Sequence, residues 1–174
     1  MALLSYRTEV GNGASVNTDN FMNATGEVGY FVVFDTSVSG LGAAFDDTNS
    51  VVKLPLIANA SGEKPAGVLL MDVVNKDLSR THLNQHKREG QIGGKVALLT
   101  RGVLVTNAIT GGLQPLPGDP ACLTQGGVLT NTIVPITGTL GAGLTPVTLS
   151  SNRVGTFLSS KSSDGYAKVA VNIL

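Results

Sequence analysis

One cysteine, no tryptophan, two histidines, and twelve acidic side chains balanced by twelve basic ones leave this 174-residue chain short of most groups that announce a chemistry. The lone Cys122 excludes an intrachain disulfide framework and reads as a small core residue. A formal net charge of zero argues against nucleic acid as a partner, since phosphate binding needs an electrostatic footprint. The chain holds no run of about 18 apolar residues, the length a membrane-crossing helix requires, and so predicts no membrane span. The opening MALLSYRTEV has too short an apolar stretch, and too little basic character before it, to read as a signal peptide.

What is abundant is the material of short strands and tight turns. There are 22 glycines, with frequent Thr, Val and Asn and little Glu or Lys. That composition predicts an all-β protein in which helix is minor. A mean hydropathy of +0.22 with only 14% charged residues is apolar for a free monomer, which predicts that part of the surface lies against another chain. Charge is also unevenly placed. Residues 1–50 carry Arg7 against Glu9, Asp19, Glu27, Asp35, Asp46 and Asp47, whereas residues 78–101 carry Arg80, Lys87, Arg88, Lys95 and Arg101 against Glu89. Such asymmetry is either an accident of solvated loops or a complementary contact between subunits.

The clearest element is the last. From Tyr166 onward, Ala167, Val169, Val171 and Ile173 fall on one face and Lys168 and Asn172 on the other, the period of a half-buried strand. Residues 154–158 form a second run, and Ser163, Asp164 and Gly165 supply the hairpin turn between them. Upstream, residues 28–35 are apolar on both alternating faces and predict a core strand covered on both sides. Residues 51–58 predict a strand at a rim because Pro55 lacks an N–H. Further strands are predicted over 66–74 and 94–107, the latter with Gly102 at a bulge, and over 121–124 and 127–137. Residues 1–26 show no sustained period and read as a flexible N-terminal arm before a β-barrel domain of residues 27–174. Residues 77–91 read as a polar loop or short helix, and residues 138–149 as a Gly-rich excursion.

Catalytic chemistry finds little support. His82 and His86 have the i, i+4 spacing of zinc ligands on a helix, with Glu89 as a possible third, but Leu83 stands where a zinc protease needs its general base. No Gly-x-Ser-x-Gly elbow accompanies the two histidines, and the glycine runs lack the Lys and Ser or Thr of a phosphate loop. Cys122 has only Asp119 nearby in sequence, which would raise its pKa rather than activate it. The expectation is a protein without catalytic residues, cofactor or metal.

The order GEKPAGVLLMDV, GGKVALLTRGVLVTN, LPGDPACLTQGGVLT, VGTFLSSKSSDGYAKVAVNIL resembles the small β-barrel head decoration, or capsid cement, proteins of tailed bacteriophages. The likeness covers about residues 28–174. It departs from the family pattern at residues 77–91 and 138–149. It implies a small barrel of short antiparallel strands and a homotrimer that binds the major capsid protein. It places that trimer on the outer capsid surface of a virion, bracing neighbouring capsomers. In that setting Tyr6, Arg7, Phe21 and Met22 of the arm are candidate capsid contacts, and Arg80, His82, His86, Lys87 and Arg88 are candidate loop contacts. The alternative within the virion is a trimeric adhesion or fibre-base module whose polar loop binds a host receptor. A metal-dependent hydrolase built on His82 and His86 is the reading from another class.

Overall fold

The computed structural model describes residues 14–37, 50–60, 62–72, 89–90, 92–133 and 152–173. Among these the protein is all-β, as composition predicts. Eleven strands follow one another: β1 (Ser15–Met22), β2 (Gly26–Glu27), β3 (Phe31–Phe34), β4 (Ser50–Lys53), β5 (Pro65–Asp72), β6 (Glu89–Gly90), β7 (Lys95–Thr106), β8 (Pro120–Leu123), β9 (Leu129–Thr130), β10 (Arg153–Phe157) and β11 (Ala167–Asn172). Nine form one sheet in the order β1-β4-β3-β5-β7-β11-β10-β8-β9, and β2 pairs with β6 as a separate ladder.

The sheet curls into a partial ring. Strand β1 pairs with β4 in parallel and with β7 antiparallel, which closes the circuit β1-β4-β3-β5-β7. The other four strands continue from β7 as a second layer, so closure involves five strands rather than all nine. Met22, Val32, Val52, Ala66, Leu69, Val96 and Leu98, at least one from each ring strand, form one cluster. A Cβ on Gly26 or Gly90 would crowd Met22 and Leu69, so the β2–β6 ladder lies directly against this cluster. A second, larger cluster joins Phe31, Val33, Val68 and Leu99 of the ring strands to Leu123, Val154, Phe157, Val169 and Val171 of the outer layer. Strand β3 therefore serves both cores. Val32 faces one and Phe31 and Val33 the other, which is why its sequence is apolar at every position.

Strand β7 makes this arrangement possible by changing face partway along. Before residue 100, odd-numbered Leu99 belongs to the larger core; beyond it, even-numbered Leu104 does. The change coincides with a register break against β1, where Ser15 pairs with Arg101 but Val16 pairs with Leu99, leaving Thr100 as the extra residue. Gly102 then takes φ +151, open to glycine and costly for other residues. The bulge expected at Gly102 lies instead two residues earlier, at Thr100, and Gly102 itself pairs regularly with Val171.

The C-terminal hairpin follows the sequence reading. Ala167, Val169 and Val171 are buried, Asn172 is exposed, and Gly165 alone of the turn residues takes a positive φ. Gly155 is required on β10 because an added Cβ would run into the Ala170 carbonyl on β11. The N-terminal reading needs correction. Residues 15–22, taken as part of an arm, are strand β1 of the ring, held by β7 over most of its length and by β4 at its end. The signal was weak because five consecutive side chains, Ser15 to Asp19, face solvent and carry no alternation. Strand β4 is also shorter than predicted, ending at Lys53 before Pro55. Residues 1–13, 38–49, 73–88 and 134–151 lie outside the described residues, and with them most of the polar loop and the Gly-rich excursion.

Candidate interaction surfaces

Burial divides the candidate contacts. Met22 is 1% exposed inside the ring core, so its side chain is not available to a partner, contrary to the expectation from sequence. Its neighbour Phe21 is half-buried. Tyr6, Arg7, Arg80, His82, His86, Lys87 and Arg88 lie outside the described residues.

Other apolar side chains, which the sequence reading did not single out, stand outward instead. Leu56 is 65% and Ile57 50% exposed. They had been assigned to a strand through residue 58, but with β4 finished at Lys53 they enter a short 3-10 turn at Ala58–Ala60. That turn is firmly tied. The Glu63 carboxylate accepts the N–H groups of Leu56 and Ile57 at 3.2 and 3.4 Å, the Pro55 carbonyl accepts from Gly126 N–H at 2.9 Å, and buried Ala60 sits at φ +46. A non-glycine residue in that region carries strain, which persists only when the surroundings enforce it.

Leu116 and Leu158 form a second exposed pair around one set of hydrogen bonds, at 63% and 44% exposure. Leu116 N–H donates to Asp119 Oδ2 at 2.9 Å and Asp119 N–H returns a bond to the Leu116 carbonyl at 3.0 Å. The turn is then fastened to β10, with Gly118 N–H donating to the Phe157 carbonyl and Phe157 N–H to the Asp119 carbonyl. The available signal in sequence was a leucine between two prolines in QPLPGDP, a place from which no core can be reached.

The ionisable groups are arranged structurally. Asp35, at the end of β3, is 4% exposed and gathers donors from three segments. Asn23 Nδ2 donates at 2.7 Å, Ser37 Oγ at 2.5 Å and its N–H at 3.0 Å, and Lys53 Nζ at 3.1 Å. The Ser37 hydroxyl, then Asn23, with smaller help from the Ser37 N–H and Lys53, hold this carboxyl well below the usual carboxylate range despite the opposing effect of burial. Cys122 is fully buried on β8, and desolvation pushes its thiol up, only partly offset by Arg153. Lys95 and Asp19 meet at 3.5 Å between β7 and β1, so part of the charge asymmetry is used within the chain. Among the described residues no group of three His, Cys, Asp or Glu side chains could hold a metal, and no helix is long and apolar enough to cross a membrane.

The chain matches no protein-family model and no curated protein.

Proposed function

We propose that this protein is a structural component of a phage virion that binds the outer capsid surface and cements contacts between capsomers. In this reading it acts as a homotrimer, with the major capsid protein as its partner, by assembly rather than by catalysis. The observation that carries the proposal is the pair of apolar protrusions, Leu56 with Ile57 and Leu116 with Leu158, exposed yet placed on hydrogen-bonded turns. Large apolar groups presented on ordered backbone lose little further freedom on docking, so their burial contributes more fully to association. The likeness in motif order to capsid cement proteins supports the same reading, as does an apolar composition with few charges.

A protein that binds only the assembled lattice stabilises it by mass action. Purified chain added to undecorated heads of the phage that encodes it should bind to saturation and raise the temperature at which the heads open. Absence of binding, with no gain in heat resistance, would rule the proposal out. Light scattering of the free chain tests the trimer separately, since three copies of 17.8 kDa are readily told from one.

A further inference from the structure

The two apolar protrusions are fastened in different ways. The Leu116 turn is tied into β10 by main-chain bonds at Gly118 and Phe157, so backbone sets its path together with Asp119. At Leu56 and Ile57 the N–H groups of both projecting residues are met by one side chain. Leu56 donates to Glu63 Oε1 at 3.2 Å and Ile57 to Glu63 Oε2 at 3.4 Å.

The chain on either side of this pair is anchored in the fold. Buried Pro55 accepts from Gly126 N–H at 2.9 Å, and the adjoining Gly127 lies so close to the Phe31 carbonyl that a Cβ there would collide with it. On the far side Ala60 is fully buried in the larger core, and its N–H donates to the Ile57 carbonyl at 2.9 Å. Glu63 N–H then donates to the Ala60 carbonyl at 3.1 Å. The bonds form a closed circuit, from Ile57 through Ala60 to Glu63 and back to Leu56 and Ile57. Its last link is the half-buried Glu63 carboxylate.

We propose that Glu63 is the positioning residue of this protrusion, holding Leu56 and Ile57 in the conformation in which they dock. The inference rests on the capsid-binding reading given above. An ionised carboxylate suits the task because it offers two acceptor oxygens and no donor, one for each of two successive N–H groups. Glutamine keeps one accepting oxygen and turns an NH₂ group toward the other N–H. Without the second bond the two residues regain backbone freedom that docking must then remove, and affinity falls by that amount.

The test is Glu63→Gln, made in the native chain and again in a Leu56→Ala, Ile57→Ala background. By site-resolved hydrogen exchange, Glu63→Gln in the native chain should speed at least one of the Leu56 and Ile57 amides tenfold or more while the cooperative unfolding transition is kept. Sedimentation with undecorated heads should show at least threefold weaker binding. In the truncated background, where no apolar side chain is left to position, the same substitution should change binding less than 1.5-fold. Glu63 stabilising the fold in general would weaken binding equally in both backgrounds, and that result overturns the inference while leaving capsid binding in place. Unchanged exchange at both amides, or unchanged binding of Glu63→Gln in the native chain, overturns it as well. Failure of the native protein to bind heads would overturn the functional reading and this inference with it.

Discussion

The ring core and the larger core share strands β3, β5 and β7, yet they are closed in different ways. The larger core is sealed by β8, β10 and β11; along β11 buried residues alternate with half-buried or exposed ones, and a tight hairpin fixes it to β10. The ring core is sealed by β1 and β4, of which β1 contributes one buried apolar side chain, Met22, from its last position. A wall with strong alternation specifies itself locally. One with a single inward anchor depends on its neighbours for position.

That contrast sets the order of expected effects. Val169→Asp places a carboxylate in the larger core with no partner and should cost about 4 kcal/mol or more, seen as loss of the cooperative unfolding transition. Phe157→Ala opens a cavity in the same core and should cost about 3–5 kcal/mol in urea denaturation. Met22→Ala should cost less, about 2–3 kcal/mol, because the Gly26 and Gly90 backbones beside it have room to settle inward. If Met22→Ala proved the more damaging of the two truncations, the ranking of the cores would be reversed.

Asp35→Asn, at the junction of β3 and β4, should cost about 2 kcal/mol near neutral pH, since it weakens bonds from Ser37, Asn23 and Lys53. The sign with pH is fixed by the lowered pKa. The carboxylate contributes fully above the ordinary carboxylate range and loses its contribution only as the pH falls below it. The gap in unfolding free energy between the native protein and this variant should therefore stay constant from pH 7 to about pH 5 and close only in stronger acid. The smallest effect on stability, within about 0.5 kcal/mol, is expected for Leu56→Ser combined with Leu116→Ser, both exposed. On the proposed function, the same double variant should bind capsids at least tenfold more weakly, measured by sedimentation with heads.

The difference between the two cores also explains what could be read from residues alone. In β11 every second residue is buried, and the strand, its hairpin and its buried face are all legible. In β3 the doubly apolar pattern reveals a strand covered on both sides. For β1 the opposite holds: Ser15 to Asp19 carry no inward side chain, so nothing in their chemistry separates a paired strand from an arm. The exposed Leu56 escaped notice because the strand was read through residue 58, past Pro55, which left Leu56 in phase with Val52 and Leu54, whereas β4 ends at Lys53. Ring closure depends on β1 meeting both β4 and β7 across long sequence separations, which local periodicity does not encode.

The most direct test of the account is electron cryo-microscopy of heads saturated with the purified protein. The account predicts density on the outer shell bridging adjacent capsomers, with the Leu56–Ile57 or Leu116–Leu158 protrusion seated against the capsid. Density confined to the tail or fibre base, or a bare shell, would contradict it.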